Sequence, residues 1–308
     1  AITTEGTRKV DVDVAAPYEV CQMPDPIEDP DELRAAWLEG TIALKDSGVL
    51  QRVLAPLLGH SWGAVLAPSD MLMHLAGGRA SFKSAHARVA CQYFAPQLHF
   101  RGTKEMLSGA NQGTTTIGLI RALGGASHIP VLVDDFAPDG DAKKAQKKLS
   151  ELARTVFNGI GRITGKQRGG ISVDRPIEAS IITTGELTAT GSGDTRIVNL
   201  PLDPRSTDNG RALFAELESR KQRHARGLLG ATLIQWVSRR RAELLAELEE
   251  SDDDAETSKF NSEAFWEKQL ASLPHDAGLL GRLINAAVSL DRGISLMLRM
   301  LRDYEAIT

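Results

Sequence analysis

Two stretches of this 308-residue chain carry side chains whose types and spacing suit phosphate chemistry. The first is Gly77-Gly78-Arg79-Ala80-Ser81-Phe82-Lys83-Ser84, set after the short apolar run Met71 to Ala76 and before a helix-like segment, Ala85 to Phe94. It follows G-x-x-x-x-G-K-[ST] with Phe82 at the second glycine. In such a loop, backbone N–H groups at a helix N-terminus face the phosphates, and the helix dipole favours their charge. Lys83 would supply a cation to the outer phosphates and the Ser84 hydroxyl would ligate Mg²⁺. Gly78, Ala80 and Ser81 are small enough for close backbone approach. With Gly77, Arg79 and Phe82 they form a candidate cradle. Phe82 is expected to keep its ring outside the cavity, with backbone angles that suit a residue other than glycine. The plainer reading is an ordinary strand-to-helix turn with one exposed Lys.

The second stretch is Ile129-Pro130-Val131-Leu132-Val133-Asp134-Asp135, about 50 residues after Lys83. A continuous apolar run reads as a strand buried on both faces. Ligands of such sheets bind at the carboxyl ends of the strands. Asp134 would there hold Mg²⁺, directly or through water, and Asp135 would orient or deprotonate the attacking water. A strand that ends in two capping Asp residues is the alternative.

These residues need a scaffold, and the composition permits one. The chain is 42% hydrophobic and 25% charged, as expected of a soluble globular protein with one large domain or two smaller ones. The net charge of −4 gives no global attraction to nucleic acid or anionic lipid, so DNA contact would need a local basic patch. Cys21 and Cys91 form neither a disulfide framework nor a zinc spacing, which fits a reduced, cytoplasmic setting. The polar start lacks signal-peptide character and an initiator Met, which suggests a piece of something larger.

The order of elements predicts four parts. Residues 1–30, rich in Pro, read as an arm or linker with a short strand at Arg8 to Val14. Residues 31–68 read as a helical collar, with helices over Asp31 to Lys45 and over Val49 to Leu58, the latter ended by Pro56 and Gly59. Residues 69–205 form the phosphate-binding core. In it, Gln97 to Arg101 suggests a strand, Thr114 to Leu123 a helix, and Ala142 to Phe157 a helix with Lys143, Lys144, Lys147 and Lys148 on one face. Residues 206–308 turn helical, interrupted by an acidic loop at Ser251 to Thr257.

Three further places could do chemistry. The stretch from Asn158 to Gly170 is basic and glycine-rich, a flexible hairpin or loop. It is either a solvated turn or a positive loop facing phosphate, of a nucleic acid or of a neighbour's nucleotide. Ile177 to Thr184 reads as a buried strand whose polar end offers Thr183 or Thr184 to a γ-phosphate or a water. Arg196 precedes the strand Ile197 to Leu202, where it could reach across a subunit interface or form a surface ion pair.

With the order complete, residues 33–205 resemble the P-loop ATPases of phages, plasmids and integrated elements, especially of actinobacteria. These are primase–helicase-type replication proteins related to superfamily III and AAA+ helicases. The matching pieces are the 77–84 loop, Val131 to Pro138, Asn158 to Arg162, Ile182 to Glu186 and the Arg196 loop before a final strand. The resemblance implies an α/β fold of the additional-strand P-loop class: a central parallel sheet, a helical N-terminal collar and a helical C-terminal subdomain. It implies an ATP-driven, Mg²⁺-dependent ring, a hexamer acting on DNA, with a fused or separate primase domain. In it Thr184 senses the γ-phosphate and Arg196 serves a neighbouring site, with Arg162 a second candidate. Asp135 stands where Glu is usual, and its shorter reach implies slow turnover. A nucleotide-dependent switch that binds protein partners, or a weakened helicase derivative, is the alternative.

Overall fold

The computed structural model describes residues 18–42, 44, 50–99, 107–108, 115–136, 142–159, 163–165, 171–173, 175–189, 191–202, 210–253, 263–270 and 277–308. In chain order they form α1 (Pro30–Gly40), α2 (Ala55–Gly63), β1 (Leu72–Ala76), α3 (Lys83–Cys91), β2 (Leu107–Ser108), α4 (Thr116–Leu123), β3 (Ser127–Phe136) and α5 (Ala142–Asn158). There follow β4 (Ile163–Gly165), β5 (Ile171–Val173), β6 (Glu178–Gly185), β7 (Ile197–Pro201), α6 (Gly210–Leu217), α7 (Arg220–Asp253), α8 (Glu263–Leu270) and α9 (Ala277–Asp303). The strand expected at Arg8 to Val14 lies outside the described residues.

Five parallel strands form one sheet in the order β2-β3-β6-β1-β7. The strand β6 is inserted between β1, which leads into the loop, and β3, which ends in the two Asp residues. The expected additional-strand P-loop fold is therefore the one observed. Alternation sends Met73, Leu75, Leu132 and Ile182 into one core with α2, α3 and α7. Leu72, Val131, Val133 and Ile181 enter a second core with α4 and α5. With both faces covered, β6 is buried without a break from Ala179 to Gly185, its polar Ser180, Thr183 and Thr184 included. Each fully buried aliphatic contributes roughly 1.5–3 kcal/mol.

Helix starts follow capping chemistry. Asp29 Oδ1 accepts from the N–H groups of Asp31 and Glu32 at 3.0 and 2.9 Å, and Pro30 takes the first turn of α1. Thr115 Oγ1 accepts from Gly118 N at 3.0 Å to open α4. Pro56 also lies in a first turn: it opens α2 instead of ending it, since a missing N–H costs nothing there. Gly59 does not stop α2 either. It lies where α2 crosses α9, and a Cβ there would sit 2.4 Å from Leu290 O. Its absence lets the two backbones approach.

Other boundaries shift. The first helix ends at Gly40, well before Lys45, and α7 continues through Asp253 into the expected acidic loop. Of the strand expected over Gln97 to Arg101, residues 97–99 form none and 100–101 lie outside the described residues; the strand that flanks β3 on the side away from β6 is Leu107–Ser108. The basic glycine-rich stretch does enter a hairpin: β4 and β5 pair antiparallel, Ile163 opposite Val173. Among the described residues no helix is long and apolar enough to cross a membrane.

Candidate functional site

At the carboxyl edge of the sheet, alternation and one bulge decide which polar groups meet. Asp134 has the parity of Leu132, and Thr184 that of Ile182, so both face α3. Ser84 is in the first turn of α3. The Ser84 hydroxyl donates to Asp134 Oδ1 at 2.7 Å, and the Thr184 hydroxyl donates to the same oxygen at 2.5 Å. Thr184 Oγ1 in turn accepts from the Asp135 N–H at 3.0 Å. The loop, the acidic strand and the inserted strand thus converge on one carboxylate, which is buried.

Thr183 goes to the other face. His74 Nε2 lies 2.8 Å from Leu187 O and must carry the proton there, because a carbonyl only accepts. His74 Nδ1 then takes the Thr183 hydroxyl at 2.7 Å. Burial pushes His74 down to about 4, with the Lys83 charge adding to the effect, so the ring is neutral at pH 7. Of the two threonines, only Thr184 reaches the acidic pair.

The loop is held tightly. Gly77 is required by close approach, since a Cβ would lie 2.7 Å from Leu202 O and 2.8 Å from Ser81 Oγ. Gly78 has open space on that side. Ser81 Oγ donates to Gly78 O at 2.8 Å. Lys83 Nζ donates to Gly77 O at 2.8 Å and Gly78 O at 2.7 Å, with Ser81 Oγ at 3.4 Å. Partial burial lowers the Lys83 pKa, opposed by the charges of Glu186, Asp134 and Asp135. Arg79 is exposed and pairs with Glu186 at 3.4 Å.

Phe82 departs from expectation. Its φ of 56° and ψ of 26° are left-handed, the angles a glycine supplies at this place in the loop. Such a conformation costs an L-residue about 1–2 kcal/mol. The ring does point away from the loop, as expected, and stacks on Phe214 of α6 with centroids 5.4 Å apart and planes at 20°. Stacking of this kind returns about 0.5–1.5 kcal/mol beyond burial, so packing offsets the strain. Two further non-glycine residues at the site have positive φ, Ala80 in the loop at 62° and Asp135 at 65°. Asp135 is the one on the acidic strand. It occupies a register shift between Val133 and Phe136, and Asp tolerates this region better than most residues. The bulge leaves Asp135 exposed next to buried Asp134.

Arg196 is elsewhere. Its strand β7 runs parallel to β1 with Ile197 opposite Leu72, so Arg196 lies at the amino edge of the sheet. Arg196 is level with Met71, six residues before Gly77, so at ~3.3 Å per residue its backbone lies roughly 20 Å from the start of the loop. There its guanidinium lies 4.9 Å from the centroid of Phe157, which Arg282 of α9 also approaches at 5.6 Å. Arg282 donates to Thr195 Oγ1. Arg162 lies outside the described residues.

Sequence reading missed His74, Glu186 as the partner of Arg79, and the Phe214 stack. The lone His in an apolar strand was a usable signal, because a buried imidazole needs partners. Nothing local to Phe214 marks it, since its contacts lie far away in the sequence.

The hydroxyl of Ser84 and the carboxylate of Asp134 are hard oxygen ligands of the kind a small divalent cation takes. The first-turn amides of α3, the ammonium of Lys83 and the open side at Gly78 suit a phosphate chain. The donor set therefore fits a nucleoside triphosphate with Mg²⁺.

No family model matches this sequence, and no curated protein is similar to it in sequence. Among solved structures, the SCCmec type IV Cch active helicase superposes with a TM-score of 0.52 at 14% identity, over 94% of this chain and 49% of that one. The chain thus spans about half the length of that protein. Two structures of JCV helicase match more loosely, with TM-scores of 0.33 and 0.30 and identities of 12% each. They cover 71% and 78% of this chain and 69% and 72% of theirs. Strand order, loop and the Cch superposition define a P-loop NTPase fold that this chain shares with a helicase.

Proposed function

We propose that this chain is the ATP-hydrolysing motor of a replicative DNA helicase or primase–helicase of a phage or mobile element, and that it works as an oligomeric ring, a hexamer, in the cytoplasm. One observation carries the reading: Ser84 and Thr184 both donate to Asp134 at the carboxyl edge of a sheet whose fold is shared with an active helicase. Lys83 binds the outer phosphates of ATP, with the backbone from Gly77 to Phe82 around them. Ser84 and Asp134 hold Mg²⁺, which when bound neutralises phosphate charge. Asp135 accepts the proton of the attacking water, and Thr184 positions Asp134 and Asp135 through its two hydrogen bonds. Arg196, too far from its own loop, serves the site of the next subunit, with Arg162 as the second cation. The β4–β5 hairpin is the candidate DNA contact, because the residues joining its strands include Lys166 and Arg168.

A second reading, a nucleotide-dependent switch that binds protein partners, is favoured by the net charge of −4 and the short reach of Asp135. DNA-stimulated hydrolysis separates the two. A motor turns over ATP faster when single-stranded or forked DNA is added. A rate that neither single-stranded nor duplex DNA alters rejects the motor.

A further inference from the structure

The phosphate loop reaches a glycine-like backbone without a glycine at residue 82, so something else must hold it there. Two contacts do. The Phe82 carbonyl accepts from His86 Nδ1 at 2.7 Å and from His86 N at 3.1 Å, which fixes the peptide after residue 82. The Phe82 ring stacks on Phe214, and the His86 ring meets Phe214 edge-on at 4.6 Å. Phe214 is only 4% exposed and is shared by both rings. The helix that carries it is tied to α3 a second time, because Glu218, just past α6, receives Arg88 Nε at 2.7 Å in a buried ion pair. The helix α6 therefore grips α3 near both of its ends, and the nearer grip falls on the residue whose backbone turns the loop into the helix.

We propose that Phe214 is a positioning residue for the phosphate loop: its ring holds Phe82 in the left-handed conformation and so aims the first amides of α3 at the phosphates. The proposal rests on the nucleotide-site reading above and adds that loop geometry is set from α6. An L-residue released from this packing moves to a right-handed or extended backbone, which turns its peptide away from the loop interior. Glycine accepts the left-handed region unaided.

The test is a rescue. Phe214→Ala is expected to weaken binding of a fluorescent ATP analogue with Mg²⁺ by about tenfold, the cost of re-forming the left-handed turn. Adding Phe82→Gly to Phe214→Ala is expected to return most of that affinity, although the lost aromatic packing still lowers the melting temperature. A Phe214 with a merely structural role gives no rescue, and equal affinity for wild type and Phe214→Ala overturns the proposal. The backbone at residue 82 in nucleotide-free Phe214→Ala, read by crystallography, gives an independent answer. A residue still at positive φ rejects the proposal, and one that has left that region supports it. A wild type that binds no nucleotide while residue 82 moves as stated removes the nucleotide reading and leaves Phe214 as the holder of the loop.

Discussion

The two edges of the central sheet hold opposite kinds of chemistry. At the carboxyl edge, hydrogen bonds join Ser84, Asp134, Asp135 and Thr184, and the charge of Lys83 is felt by both carboxylates. At the amino edge, Arg196 and Arg282 share the face of Phe157, and Arg196 can touch nothing at its own loop. The first edge gathers the donor set that suits a phosphate chain and a cation. The second presents cations stacked on an aromatic ring, away from the loop. On the proposed function, the contrast teaches that binding and turnover would depend on different parts of the chain: the carboxyl edge for binding, and Arg196 of a neighbour for hydrolysis.

Breaking the carboxyl edge should remove binding itself, on which every later step depends. Lys83→Ala should weaken ATP binding by about a hundredfold or more, as loss of one partner of a charge-assisted contact does; calorimetric titration checks this. Arg196→Ala, at the other edge, should leave that affinity unchanged yet lower steady-state hydrolysis by about a thousandfold. Mixing it with Lys83→Ala should restore part of the turnover, because each variant keeps what the other lacks. A mixture as inactive as its components, or a particle that stays monomeric with ATP, Mg²⁺ and DNA, would count against action across an interface. Asp135→Asn should lower hydrolysis by about a hundredfold and spare binding, since the amide keeps the shape and loses the base. Unchanged single-turnover hydrolysis would place the base elsewhere.

The smallest effect concerns stability. Burial lowers His60 and His74 from 6.5 to about 4 in the folded protein. The unfolded chain therefore takes up protons first as pH falls. The stability contributed by the neutral rings is present above pH 6.5 and drains away towards pH 4. His60 backs the middle of β6 through Ile181 O at 3.2 Å, away from the loop. His60→Gln should flatten the pH dependence of the melting temperature without changing ATP affinity at pH 7. A slope as steep as that of the wild type would locate the proton uptake at other groups.

Much of this arrangement is legible in the sequence. The apolar runs gave β1, β3 and β6 nearly to the residue, because strands buried on both faces have few alternatives. The loop and the acidic pair were found from spacing. The choice between Thr183 and Thr184 was available from alternation against Ile182, once the register with β1 was fixed. What stayed hidden depended on contacts distant in sequence. Pro56 and Gly59 look like breakers until α9 is laid across α2, and Phe82 looks misplaced until Phe214 arrives from 132 residues away.

The most direct measurement is titration of ATP into the protein with Mg²⁺, repeated for Ser84→Ala and Lys83→Ala. The convergence of the loop on Asp134 predicts saturable binding by the wild type, a loss of Mg²⁺ dependence in Ser84→Ala, and near-abolished binding in Lys83→Ala. Equal, metal-independent binding by all three would contradict it.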